Sequence, residues 1–540
     1  MLKTQTTGFH FCCAVFGIFT AFLSFGSYLI KERLFISDAL LSFIVGVIAG
    51  PATGLFDFAH WVGGRMNLEP ITVEFTRLSL CVQVLLNGVQ LPPKFVKKSC
   101  GPFLCSLLPG MTLTWLISSL LIWAICALRN GEDDDGTHKM PFLHAMAVGA
   151  CIAPTDPVLA STIVKGRWAD QHVPAPLAQL ISAESGANDG LGFPFLYLSL
   201  YLIAHVGGHG QHSDVEGGAR TAMAHFFGNA VGYMVLLAVV WGAVVGYVSS
   251  KLMKLCRRMQ YVEHESFFAF PILISILLIG TCGMAGSNDI LASFAAGNAL
   301  SWDGWFRERT AQDSFATTLE LFMNTALFIY LGAICPWRSF APLMNGAITL
   351  VGTVPLWRLA CLALAILVLR RVPVLVLLHK LGLLRPHVRS LRQAAFMGFF
   401  GPMGISSIFY LHEIRVFCRD DLGPGEGGAD FRNDVQHLYH SSEPIIWFLV
   451  VSSVVVHGLA IPTYQAGAAL WTQWKWERQS DHDKYRFSLR GFVDRERLAF
   501  QHATEKLRAE EERIGRYIDR DILHHRRPHP TFRKVKDNSD

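Results

Sequence analysis

The stretch "ACIAPTDPVLAS" (Ala150 to Ser161) decides the fold. It is almost wholly apolar, yet it carries Thr155 and Asp156 between Pro154 and Pro157. Proline lacks an amide donor and pushes the residue before it away from helical geometry. A helix through this stretch must therefore break, and the carbonyls around Thr155 are freed. A carboxylate at mid-membrane depth costs a few kcal/mol on insertion scales and is rarely there without a task. The helix ends that face the break add their dipoles at the same depth. Asp156 reads as a cation ligand, against the alternative that it only caps the second half-helix.

The surroundings make that depth a membrane. The chain has 540 residues, 51% of them hydrophobic and only 16% charged, with a mean hydropathy of +0.34; soluble proteins carry roughly a quarter charged residues. A hydrocarbon core of about 30 Å needs about 20 apolar residues as helix. Such runs predict thirteen spans, at 9–30, 37–54, 70–91, 102–127, 141–163, 175–204, 221–250, 266–284, 287–300, 315–335, 350–379, 393–412 and 441–464. The first lacks a small-residue cleavage site and reads as a span, not a removed signal. Residues 1–465 form the transmembrane domain and 466–540 a hydrophilic tail, with 17 Lys and Arg against 13 Asp and Glu. That surplus of four is most of the net charge of +5.

With the N-terminus outside, the inner loops carry 17 Lys and Arg and the outer loops 9. Positive-inside bias therefore places the tail in the cytoplasm. The loop "NGEDDDGTH" and the segment "RDDLGPGEGGADFRND" fall outside. The twelve cysteines form no CxxC pair and read as packing residues. The twelfth span holds "GFFGPMGISS" (Gly398 to Ser407), where Gly401, Pro402 and Gly404 break a second helix. Two broken helices running in opposite directions, one in each half, point to inverted repeats around a midplane site.

The sixth span supplies more polar groups in "AESGANDGLGFPF". Glu184, Ser185, Asn188 and Asp189 fall on one side of a helix that is otherwise Leu, Phe and Tyr. Asn188 stands one turn from Glu184 and is expected to donate to it, leaving Asp189 available. A carboxylate removed from water favours its protonated form. Such a group holds a proton without a cation and gives it up when one arrives, which is a complete mechanism for exchange. Oxygens from Asp156, Asp189, Thr155 and Ser185 suit Na+, Li+ or K+ and no transition metal. Arg370 and Arg371 interrupt "LALAILVLRRVPVLVLL", and Glu184 is the natural partner for an arginine at that depth. Asp289, after Asn288, faces an outer vestibule or caps its helix. His457 reads as a packing residue.

Taken together, "APTDPVLA", "AESGANDGLGFPF", "GFFGPMGISSIFYL" and "SSVVVHGLAIP" resemble the monovalent cation/proton antiporter family. "SLCVQVLLNGVQLP" and "WRLACLALAILVLRRVP" add to a likeness closest to the fungal plasma-membrane sodium/proton antiporter branch. The resemblance covers roughly residues 35 to 465. It implies an all-α fold of about thirteen spans with inverted repeats, a dimerisation domain, and a core domain that carries the ion by elevator-like movement. It also implies that Thr155 and Asp156 match the unwound Thr-Asp, and that Asn188 and Asp189 match the Asn-Asp pair, with Asp189 the principal carrier. Glu184 and Ser185 would support the site, and Arg371 would face Glu184. Where fungal members tend to carry two adjacent acids, this chain has Asn288 and Asp289, and its tail is short for that branch.

The expected activity is exchange of Na+, with Li+ or K+ as further substrates, for H+, serving cation efflux, pH homeostasis and salt tolerance. No cofactor, no enzyme activity and no nucleic acid are expected; the partners are membrane lipid and a second copy in a homodimer. A channel, another ion-coupled carrier and an intramembrane aspartyl protease are the alternatives. A channel builds carboxylate rings by oligomeric repetition, and a protease needs a GLGD motif, whereas "NDGLGFPF" lacks the following Asp.

Overall fold

The computed structural model describes residues 8–28, 34–126, 140–165, 167–207, 218–310, 315–340, 354–422 and 432–477. Among these residues all regular structure is helical, with no strand. This follows from the solvent, because a lipid-exposed backbone must satisfy its hydrogen bonds within its own segment. The loop "NGEDDDGTH", most of the Gly-rich outer segment and the tail beyond Glu477 lie outside the described residues.

In chain order the principal helices are α1 (Gly8–Tyr28), α2 (Asp38–Val47), α3 (Arg65–Gln90), α4 (Cys100–Cys126), α5 (Phe142–Ile152), α6 (Pro157–Val164), α7 (Ala175–His205) and α8 (Gly218–Arg258). There follow α9 (His264–Ala285), α10 (Asp289–Leu300), α11 (Phe315–Ile334), α12 (Leu356–Leu369), α13 (Val372–Lys380), α14 (Leu391–Phe399), α15 (Ile405–Asp420), α16 (Asn433–Gly458) and α17 (Ala460–Glu477). Helix falls in each expected span, interrupted at 153–156 and 400–404, while 29–30, 127 and 350–353 lie outside the described residues. Five helical stretches, α4, α8, α9, α12 with α13, and α16, are long and apolar enough to cross a membrane unaided. The bent pair α5 and α6 makes a sixth. The other expected spans are shorter or carry the polar residues of the site. Two boundaries differ usefully from expectation: α3 starts five residues before position 70, and α15 runs eight past position 412.

The helices sort into two bundles. In one, α10 packs on α3 and α8, α2 on α11, and α9 on α3 and α10. In the other, α5 packs on α4, α7, α15 and α16, and α12 on α4 and α16. The first bundle shows the small-residue packing of membrane helices. Gly242 and Gly246 of α8, one turn apart, lie so close to Ala292 and Ala296 of α10 that a Cβ would strike their backbone. Phe227, Trp241, Val244 and Leu252 project outward from α8, a surface suited to lipid.

The seam between the bundles is formed by α6, α7 and α15 on one side and by α3, α10 and the first half of α8 on the other. Both helix breaks belong to the second bundle, next to this seam.

Candidate cation and proton site

Pro157 takes the first position of α6, where its missing amide is no loss. Residues 153–156 leave the helix, and the axes of α5 and α6 are bent by 48°. Residues 400–404 separate α14 from α15 in the same way. The two breaks cross. The Asp156 amide donates to Pro402 O at 2.8 Å, and the Ile405 amide donates to Asp156 Oδ2 at 2.9 Å. Asp156 Oδ1 accepts from Val158 N at 2.8 Å and Leu159 N at 3.1 Å. One carboxylate thus caps the N-termini of both half-helices, where negative charge meets two positive dipole ends. Position 404 must be glycine here, because a Cβ would fall on that carboxylate.

The opposite ends meet a cation. The Arg370 guanidinium donates to Ile152 O, at the end of α5, and to Gly401 O, just past α14. Arg370 and Arg371 themselves sit in a break between α12 and α13. Arg371 turns the other way, to Glu184 Oε1 at 2.7 Å. Of the two arginines it is therefore Arg371 that pairs with the acid, while Arg370 compensates two helix C-termini. His457 Nε2 meets Phe399 O at 3.0 Å and its Nδ1 meets Ser453 O at 2.9 Å. Ser453 Oγ in turn accepts from Met403 N at 2.7 Å. This pair braces the second break.

Thr155 is clipped to α7 by three hydrogen bonds. Asn188 Nδ2 donates to Thr155 Oγ1 at 2.8 Å, and Asn188 Oδ1 accepts from Thr155 N at 3.2 Å. Ser185 Oγ donates to Thr155 O at 2.7 Å. The expected bond from Asn188 to Glu184 is not made. Helical spacing brings the two near each other, but Asn188 finds a free peptide across the break and Glu184 finds a guanidinium, each a better partner.

Asp189 differs from all of these. It is fully buried, and among the described residues neither carboxylate oxygen has a hydrogen-bond partner. Tyr410 OH donates to its backbone oxygen, not to its side chain. Ser406 adjoins it, and Asp156 lies close enough to act on it electrostatically. An isolated carboxylate in such a place must carry a proton or a cation.

Asn288 and Asp289 divide their roles. Asn288 caps α10, its Oδ1 accepting from Leu291 N at 3.0 Å, and its Nδ2 donates to Gly190 O at 2.6 Å across the seam. Asp289 sits in the first turn and faces Arg77 Nε at 3.7 Å, not the crossing. Arg77 also meets Glu74 at 3.0 Å and Glu413 at 3.5 Å. Sequence reasoning missed this cluster. Arg77 inside an apolar run was the available signal, whereas Glu413 was hidden because α15 was expected to end at 412.

The two breaks, the carboxylate that caps both half-helices and the buried acid beside them lie together in one all-helical site. A family model described as "Sodium/hydrogen exchanger, transmembrane" matches residues 18–464, most of the chain. The chain belongs to the sodium/hydrogen exchanger family. It is a multi-pass membrane protein. Among its relatives, the "Na(+)/H(+) antiporter" of Saccharomyces cerevisiae is 34% identical over 85% of this chain and 44% of its own length. "Na(+)/H(+) antiporter 2" of Zygosaccharomyces rouxii is 32% identical over 87% and 54%. This exchanger-family chain therefore spans about half the length of these two relatives. The "Na(+)/H(+) antiporter" of Schizosaccharomyces pombe is 27% identical over 84% of this chain and 89% of its own. Among solved structures, the sodium proton antiporter MjNhaP1 from Methanocaldococcus jannaschii matches with a TM-score of 0.60 at 16% identity. That match covers 86% of this chain and 99% of the other, and it shows the antiporter fold.

Proposed function

We propose that this exchanger-family protein is a secondary antiporter that trades Na+ for H+ one site at a time, with Asp189 as the exchanging group. The observation that carries the reading is the Asp189 carboxylate, buried beside the crossing with both oxygens unpartnered. When the bound proton leaves, the carboxylate needs a counter-charge, and a dehydrated alkali cation supplies it. When the cation leaves, a proton must return. The empty anion is the one state the site disfavours, and this couples the two flows. Asp156, held by three backbone amides, keeps lone pairs on Oδ2 and acts as second ligand. Thr155, Ser185 and Asn188 shape the oxygen shell, and the Glu184–Arg371 pair fixes α7 against the break. Asp289 belongs to the approach on the far side.

Li+ and K+ share the ligand chemistry and are further substrates in this reading. The N-terminus lies outside, the tail lies in the cytoplasm, and the plasma membrane is the site of action. A second copy completes a dimer. All of these extend the motif resemblance and the loop charges.

The test uses proteoliposomes with an imposed pH gradient and a pH-sensitive dye. Na+, K+ and Li+ are added in turn to wild type and to Asp189→Asn. Cation-driven dequenching in the wild type that disappears in the variant is the expected result. If none of the three ions gives a response in verified vesicles, the antiporter reading fails. A response that survives the substitution moves the site away from Asp189.

A further inference from the structure

Beside the crossing lies a small cavity of about 10 Å³, room for about one water-sized occupant. Its lining comes from both bundles: Gln83, Asn87 and Gln90 of α3 and Glu320 of α11 on one side, and residues of α6 and α7 on the other. Exposure falls along it. Gln90 and Lys165 are exposed, Asn87 and Glu320 are half-buried, and Gln83, Ser185 and Pro157 are buried. Gln90 precedes the loop that carries Lys94, Lys97 and Lys98, and Lys165 begins the loop that carries Arg167, so this end lies toward the basic face and the Ser185 end lies next to the Thr155 clip.

A cation descending this cavity loses water and needs an oxygen for each molecule lost. The floor is arranged to offer oxygens and not protons. Ser185 has spent its hydrogen on Thr155 O, at 2.7 Å. Asn87 Nδ2 donates to Ser182 O at 2.8 Å. Gln83 Nε2 donates to Asn324 Oδ1 at 2.7 Å, and its Oε1 is buried without a partner. Gln83 is only 4% exposed, and an amide oxygen left unsatisfied there is a standing loss of about 1–3 kcal/mol unless something else meets it. Asn324 does not line the cavity. Its contact engages the amide donor and leaves the acceptor unpaired and shut off from solvent.

We infer that Gln83 is a specificity-determining cation ligand on the way to Asp189, its neutral oxygen receiving a partly dehydrated alkali cation, with Asn324 as its positioning residue. The inference rests on the antiporter reading above. A neutral amide dipole holds a cation less tightly than a carboxylate, so a stop here binds loosely enough to pass the ion onward.

The experiment measures apparent KM and maximal rate for Na+, Li+ and K+ in proteoliposomes of wild type, Gln83→Met, Gln83→Glu and Asn324→Leu. Gln83→Met removes the oxygen at similar volume and should raise the Na+ KM about fivefold to tenfold with little change in maximal rate, the pattern of lost binding rather than lost turnover. Asn324→Leu leaves Gln83 in place but frees its amide, and should raise KM by a smaller factor. Gln83→Glu keeps an oxygen of stronger field, so KM should not rise and preference should move from K+ toward Li+. Unaltered KM values and ion ranking across the three variants would overturn the inference while leaving the antiporter reading intact. A fall in maximal rate alone would also overturn it, by assigning Gln83 a structural role. Absence of exchange in the wild type would sink both. Should Gln83→Met not fold, Asn324→Leu and Gln83→Glu still decide the matter.

Discussion

Asp156 and Asp189 look alike in the sequence, two acids in apolar stretches, and the structure gives them opposite environments. Asp156 is saturated by backbone amides, and Asp189 has none. Substitution should therefore separate them. Asp156→Ala strips acceptors from three buried amides and is expected to destabilise the folded protein by about 2–4 kcal/mol, read as a lower melting temperature in detergent. Asp189→Asn replaces a buried carboxyl, neutral when protonated, by a neutral amide of the same shape, and should leave the melting temperature unchanged or raise it. If Asp189→Asn melts well below wild type, Asp189 has a structural partner and is not a free carrier. The acids and their depth were legible in the sequence because composition alone makes a mid-span carboxylate conspicuous. The local cap of α6 by Asp156 was legible as an alternative, from its place before Pro157. That the same carboxylate also caps α15 was not, because it depends on Ile405, 249 residues away.

At the scale of elements, the breaks themselves were readable from Pro154, Pro157, Pro402 and the glycines around it, since these residues cannot continue a helix. What holds the broken ends was only partly readable. A buried arginine calls for an acid, and Glu184 was findable on that ground. Arg370 was not assignable, because its partners are carbonyls that exist only once α5 and α14 have ended side by side. The Glu184–Arg371 pair links α7 to the break after α12, and its two members are nearly inaccessible, at 8% and 6% side-chain exposure. Breaking such a pair from one side leaves an uncompensated charge and typically costs about 3–5 kcal/mol. Glu184→Gln and Arg371→Gln should each lower the melting temperature and the yield of folded protein. The double variant Glu184→Gln/Arg371→Gln should recover most of that loss. A double variant as unstable as the sum of the singles would show that the two act independently, contrary to the 2.7 Å contact.

For the whole molecule, the two sides of the seam are unequal. Toward the basic face a small cavity lies between α3 and the pair α6 and α7, bridged by Asn87 Nδ2 to Ser182 O at 2.8 Å. Beyond Asp189, on the opposite side, the bundles are joined by Asn288 Nδ2 to Gly190 O at 2.6 Å and by Arg77 to Glu413 at 3.5 Å. The Arg77 guanidinium also lies over the Phe409 ring, 5.7 Å from its centre. The far side is therefore held by an ion pair and a buried hydrogen bond, and the basic side by the Asn87–Ser182 bond beside a small cavity. Moving the second bundle across the seam must part Arg77 from Glu413. Arg77 remains compensated by Glu74 and Asp289, which travel with it, so the latch can open without stranding a positive charge. Glu413→Gln should weaken the latched state selectively. A partly buried ion pair of about 1 kcal/mol corresponds to roughly a fivefold shift in population between the two states. The shift can be read from a cysteine placed at Ser161, which lines the cavity, in a background whose other reactive cysteines are replaced. With Glu413 present it should react readily with an impermeant thiol reagent applied to the basic face. With Glu413→Gln the rate should fall by about that factor, because less of the protein is open to that side. An unchanged rate would mean that Arg77 and Glu413 are neighbours without being a latch, and the asymmetry of the seam would rest on the Asn288 contact alone.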